Sequence, residues 1–239
     1  MNIKIPRGAG EYILFQRTSY LYMARASNLF IKLLYKLFLR IFSFNQYVEL
    51  EAALFQSRIA RLFTQDMNKE FLTLKDSLPS HVGKILDIGC GVAGIDVLLY
   101  HHYGGKADIY LLDKSVLDKN VFYYFEETGS FYNSLSLAKQ LLVLNGVSQE
   151  KIYTQEATDE NQVLFGENFD LVISLISWGF HYPVSTYLNV VYEKMRSGGI
   201  LILDVRKDTD GEELLKKKFG TTSTLLDEEK YKRLLVVKR

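Results

Sequence analysis

The segment Lys84-Ile85-Leu86-Asp87-Ile88-Gly89-Cys90-Gly91-Val92-Ala93-Gly94 constrains this chain more than any other. Its first five residues, apolar apart from Lys84 and Asp87, read as a buried strand. The glycines that follow permit a tight turn and a close approach of backbone to ligand. The helix expected from about residue 93 adds free N–H groups at the same place. Gly89, Gly91 and Gly94 fit Gly-x-Gly-x-x-Gly, a spacing that a plain strand-to-helix turn also satisfies. The rest of the chain has to decide between the two.

From Gly83 onward strands and helices alternate. The pattern predicts strands near 84–88, 107–113, 151–156, 169–175, 199–205, 221–227 and 232–238. It predicts helices near 93–102, 134–145, 183–196 and 210–218. Such alternation implies an α/β fold with a mostly parallel sheet covered on both faces. Only Asp227–Lys230 separates the last two strands, too short for a crossover helix, so they are expected to pair as an antiparallel hairpin. A length of 239 residues with 48% hydrophobic side chains suits one such domain, 80–239, preceded by a helical extension, 1–79.

The extension itself divides. Residues 1–44 carry seven basic side chains against Glu11 alone, a charge of +6; the whole chain is +1, so the remainder is −5. Within this basic arm Lys32, Lys36 and Arg40 fall at i, i+4 and i+8, stacking three cations on one face of a helix otherwise built of Leu, Ile, Phe and Tyr. That helix suits a membrane interface; it equally suits packing on its own domain or on a second subunit, a homodimer. Residues 46–78 read as a long amphipathic helix or a helix pair, with Val48, Ala52, Phe55, Ile59, Phe63, Met67, Phe71, Leu74 and Leu78 forming a core stripe ended by Pro79.

Near-neutral overall charge argues against a generic nucleic-acid binder. A single cysteine, Cys90, excludes an internal disulfide and a cysteine-based zinc site, and the four histidines are too scattered for a metal motif. Met1–Gly10 lacks an apolar core, so the cytoplasm is the expected address, with peripheral contact at the inner face of a membrane where the arm meets lipid.

Acids recur where strands end. Asp87 stands two residues before the first glycine, and Asp113 closes the second strand, placed for a bidentate contact to ribose hydroxyls. Glu156-Ala157 close the third, where an acid can accept from an adenine amino group. Together with Phe169–Ser174, the double glycine Gly198-Gly199 and the closing hairpin, this run resembles the class I S-adenosylmethionine-dependent methyltransferases over about residues 80–239. The resemblance implies a Rossmann-like seven-stranded sheet with an antiparallel last strand and S-adenosyl-L-methionine as cofactor. It implies cofactor contacts from Asp87, Gly89, Cys90, Gly91, Asp113, Glu156, Ala157 and Ser174. The family usually has Asp where Glu156 stands. A short-chain dehydrogenase is excluded: such enzymes have three residues between their first two glycines where this chain has one, and the Tyr110-x-x-x-Lys114 match lies on a strand.

In that family the acceptor sits beside the end of the fourth strand, here Leu175–Pro183. The segment lacks the Asp/Asn-Pro-Pro-aromatic group of amino-methylating DNA enzymes, the Pro-Cys nucleophile of cytosine enzymes, the paired glutamates of arginine enzymes and the acids of metal-dependent catechol enzymes. It offers Trp178, Phe180, His181 and Tyr182. Methyl transfer is an in-line displacement that depends on alignment, and an oxygen acceptor must lose a proton, for which histidine is best poised near neutral pH. His181 is thus the candidate base, with capping of the next helix as its structural alternative. Trp178 and Tyr182 are candidates to bind the substrate, a small molecule or glycan. The long connection 114–151, with Phe122-Tyr123-Tyr124-Phe125 and Phe131-Tyr132, is a candidate wall of the acceptor pocket together with the N-terminal helices, or else a cover packed on the sheet. Two other readings remain open: a cofactor-binding module without catalysis, and an RNA or protein methyltransferase docked by the basic arm.

Overall fold

A computed structural model describes residues 1–115 and 133–239. The aromatic cluster of 122–125 and 131–132 therefore lies outside the described residues. The N-terminal third is helical: α1 (Ala9–Gln16), α2 (Tyr22–Arg25), α3 (Leu29–Ile41), α4 (Phe44–Leu54) and α5 (Gln56–Leu74). Of the two readings of 46–78, the helix pair forms, as α4 and α5, and the single long helix does not. The chain breaks at Phe55 (φ −118°, ψ 25°), and α5 ends in a 3₁₀ turn at Lys75–Ser77. Buried Glu51 has a separate task on α4: its two carboxylate oxygens accept the Tyr22 and Met23 N–H groups at 2.7 and 2.6 Å, capping the start of α2.

The α/β part follows as β1 (Lys84–Ile88), α6 (Gly94–His102), β2 (Asp108–Asp113), α7 (Leu135–Leu144), β3 (Ile152–Glu156), β4 (Phe169–Ser174), β5 (Ser177–Tyr182), α8 (Ser185–Lys194), β6 (Met195–Arg206), α9 (Gly211–Phe219), β7 (Ser223–Asp227) and β8 (Tyr231–Val237). Seven strands form one sheet in the order β3-β2-β1-β4-β6-β8-β7. β8 runs antiparallel to both neighbours; the other pairs are parallel. The sheet and its closing hairpin are as the alternation predicts.

Two differences are local. β5 is an extra strand outside the seven, where the sequence suggests only a loop, and Gly179 lets it press against β6: a Cβ there would sit 2.7 Å from the Asp204 carbonyl. β6 also begins at Met195, before the double glycine, with an irregular register against β4.

The two-residue period of the strands sorts the core onto two faces. Ile85, Ile109, Leu111, Leu171 and Ile173 pack with α6, α7 and the N-terminal helices, through Ile13, Leu14, Ile59 and Phe63 among others. Leu86, Ile88, Leu112, Val172 and Leu203 pack with α8 and α9. The N-terminal helices thus form one of the two layers over the sheet and share its core. Because strand order reverses on either side of β1, a crevice opens at the carboxyl end of that strand.

Candidate active site

The crevice is built around the turn after β1. Gly89 has φ +75°, and a Cβ there would lie 1.8 Å from Ser177 Oγ, so glycine is required on conformational and steric grounds. Its N–H donates to the Leu112 carbonyl (2.7 Å), tying the turn to β2. Gly91 N–H donates to Asp113 Oδ2 (2.8 Å), and Lys114 N–H donates to Oδ1 of the same carboxylate (2.7 Å). Gly94 starts α6 hard against α5: a Cβ would fall 2.3 Å from Phe63 Cζ.

An open cleft of about 470 Å³ lies over this turn. Asp87, Gly89 and Cys90 form its floor, and Leu175 and Ile176, just after β4, form one side. The rest of the lining comes largely from the N-terminal helices: Gln16 and Arg17 at the end of α1, and Phe63, Met67 and Glu70 on α5. The sequence offers the N-terminal helices as part of a pocket wall but does not single out these residues, because Arg17 is visible there only as one charge of seven and α5 only as a packing stripe.

Carboxylates dominate the electrostatics. Asp87 and Asp96 are buried within hydrogen-bonding reach of each other. Burial, and then the neighbouring charges of Asp96 and Asp113, drives the Asp87 carboxyl well above the usual range. Asp113 is pushed up to about 6 by burial, against the opposing pull of the Gly91 and Lys114 N–H groups. Among the described residues no basic side chain forms a salt bridge with Asp87, Asp96 or Asp113. The same setting raises the Cys90 thiol, by burial first, which leaves it protonated and a poor nucleophile. Arg17, in the same lining, supplies the complement, with its Nε buried and unpartnered. The cleft therefore suits a ligand carrying positive charge toward Asp87 and an anionic group toward Arg17.

The structure gathers most of the predicted residues at this crevice. Asp87, Gly89 and Cys90 line it, Gly91 and Asp113 are hydrogen-bonded together beside it, and Ala157 N–H donates to the Asp113 carbonyl (2.8 Å). Glu156 is exposed, paired in register with Asp113, and accepts the Ser115 N–H (2.8 Å). Ser174 is buried and its hydroxyl is occupied, donating to the Ile88 carbonyl (2.6 Å) and accepting from Trp178 N–H (3.0 Å); it braces the turn from below.

Trp178 requires a correction. It is fully buried in the core under α8, with its indole N–H donated to the Val184 carbonyl (2.9 Å), so it presents no surface to a substrate. An aromatic residue in a functional segment was better used as packing.

Tyr182 takes its place as the β5 aromatic nearest the acids. Its hydroxyl pairs with Ser177 and is held protonated by burial, reinforced by the charges of Tyr187, Asp113 and Asp87. His181 does not line the cleft beside Asp87. It lies next to the Phe180 ring, and burial, followed by the Arg206 cation, lowers its pKa below 6.5.

No protein-family model matches the sequence, and a search of curated proteins finds no relative. Solved structures do match. A candidate O-methyltransferase of Nostoc punctiforme superposes with a TM-score of 0.54 at 15% identity, over 77% of this chain and 59% of its own. The S-adenosylmethionine-dependent methyltransferase SibL in its apo form superposes with a TM-score of 0.53 at 14% identity, over 97% of this chain and 70% of its own. The chain thus spans somewhat less than two-thirds of the first protein's length and a little more of the second's. At these identities the likeness is one of fold.

Proposed function

We propose that this chain, which has the class I S-adenosylmethionine-dependent methyltransferase fold, is a methyltransferase that transfers methyl to the hydroxyl of a small molecule or glycan. The observation that carries this reading is the cleft over Gly89, lined both by buried Asp87, which has no basic partner among the described residues, and by Arg17, whose Nε is buried without a partner. S-adenosylmethionine supplies an electrophilic methyl on a sulfonium, together with an ammonium and a carboxylate on its amino-acid end. Those charges match the cleft: Asp87 and its neighbours face the cations and Arg17 the carboxylate. Asp113 accepts from the ribose hydroxyls, and exposed Glu156 stands at the adenine end. Fixing the reacting groups in line is the main service such a pocket performs. Tyr182 borders the acceptor, and His181, kept neutral by burial and Arg206, is in the form that accepts a proton from a hydroxyl.

The test is calorimetric titration of S-adenosylhomocysteine. Micromolar binding is expected, and Asp113→Asn should weaken it about ten- to hundredfold through loss of charge-assisted hydrogen bonds. Equal affinity of the two proteins would remove the ribose assignment. No binding by either would remove the cofactor, and binding without turnover across acceptor panels would leave a cofactor-binding module.

The raised acid adds a pH signature. Asp113 titrates near 6 in the folded chain against 3.8 ordinarily, so the folded state holds the proton more tightly. The stability this group contributes is complete at low pH and declines as pH rises from about 4 to about 6. A cationic ligand favours the ionised form. The rise in Tm produced by S-adenosylmethionine should therefore be larger at about pH 7 than at about pH 5; a rise independent of pH would contradict the carboxylate floor.

A further inference from the structure

We infer that α3 docks the protein on an anionic lipid surface, lying in the plane of the membrane interface. None of its 13 residues is buried. Around the 3.6-residue turn its side chains fall into three sectors. Ile31, Tyr35 and Phe38 are half-buried and face the protein, with Tyr35 and Phe38 packing on Tyr47 of α4 at ring distances of 4.8 and 6.1 Å. Phe30, Leu33, Leu34, Leu37 and Ile41 form a second sector open to solvent, with exposures of 41 to 69%. Lys32, Lys36 and Arg40 form the third. An apolar stripe of this size on a helix edge is rare on a monomer unless something covers it.

Charge selects the cover. From Tyr12 to Val48 the chain has no Asp or Glu, while Arg17, Arg25, Lys32, Lys36 and Arg40 lie within that stretch. A second copy of α3 would bring only like charges to the cationic sector, with no acid of its own to pair them. Anionic headgroups satisfy the cations while acyl chains receive the apolar stripe, and both act on the same helix. The helix is about 20 Å long, short of the roughly 30 Å hydrocarbon core, and among the described residues no helix is long and apolar enough to cross a membrane. It therefore lies flat.

Its ends are fixed without lipid. Asn28 Oδ1 accepts the Phe30 N–H (2.9 Å), and Ser43 with Gln46 forms a capping box at the start of α4. The surface is thus ordered before it meets a bilayer. The inference does not depend on the methyl-transfer reading.

Flotation of the full chain with phosphatidylcholine vesicles, with and without phosphatidylglycerol, tests it. Strong flotation is expected only on the anionic vesicles and should weaken as salt is raised. Leu33→Ser with Leu37→Ser should lower the partition coefficient about tenfold per leucine, and Lys32→Glu with Lys36→Glu should abolish the preference for anionic lipid. Since these side chains are exposed, circular dichroism and Tm should be unchanged, which separates lost docking from lost folding. Failure to float on either vesicle, or flotation indifferent to both double variants, overturns the proposal. So does a wild-type dimer in sedimentation that the leucine variant converts to monomer, because α3 would then join two copies.

Discussion

Replacing Arg233 by methionine is expected to destabilise the fold by about 3–5 kcal/mol at neutral pH, the range for leaving one member of a buried ion pair alone. Arg233 on β8 is fully buried and forks onto Asp204 of β6, Nε to Oδ1 and Nη2 to Oδ2, both at 2.7 Å; the two residues face each other in the strand register. Its remaining nitrogen, Nη1, donates to Glu70 (2.7 Å) and Thr73 on α5. Asp204 also accepts the Ile176 N–H at 3.1 Å, from a residue held at φ 51°. One guanidinium thus joins the sheet to both walls of the cleft, through Glu70 and Ile176. Burial raises the Asp204 carboxyl while Arg233 draws it back, so the variant would strand an acid that ionises only at a cost. Denaturant unfolding measures the loss. Methionine at 233 combined with leucine at 204 should recover much of it, because an apolar pair of similar volume leaves no orphaned charge. A loss below about 1 kcal/mol for the single variant would show that the network is screened by water.

His181→Gln should reduce kcat about 10²- to 10⁴-fold if His181 is the proton acceptor, with S-adenosylhomocysteine affinity unchanged because His181 is not part of the cleft wall. The sign of the pH effect is fixed by its environment. Burial and the Arg206 cation favour the neutral ring, so wild-type turnover should fall only as pH drops through a value below 6.5. That acid limb should vanish in the variant. Turnover within about threefold of wild type would remove His181 from the reaction and leave Tyr182 as the polar group of β5 beside the acids.

Much of the fold was legible beforehand because its signals are local. Short, nearly continuous apolar runs such as Ile85–Ile88 and Leu171–Ile173 mark buried strands, glycines mark turns, and the four residues Asp227–Lys230 leave no room for a crossover. The floor of the cleft was legible for the same reason: Asp87, Gly89, Cys90 and Gly91 are neighbours in sequence, and Asp113 follows at a strand end. Residues whose part depends on what packs over them were not. Trp178 and Tyr182 look alike on paper as aromatics in one loop, and four residues apart they share one face of the strand Ser177–Tyr182; yet Trp178 is wholly buried in the core while Tyr182, at the strand's end, is only partly covered.

By itself, then, the amino-acid sequence determined the strand-and-helix order, the glycine turn, its acids and the amphipathic character of α3. Each is written in spacing along the chain. The tertiary structure alone decided that Arg17 and Glu70 line the same cleft as Asp87, that Arg233 closes a network with Glu70 from 163 residues away, and that one face of α3 stays open. Such pairings depend on how a helical layer settles on a twisted sheet, and no local periodicity encodes which distant side chains meet when two amphipathic surfaces pack.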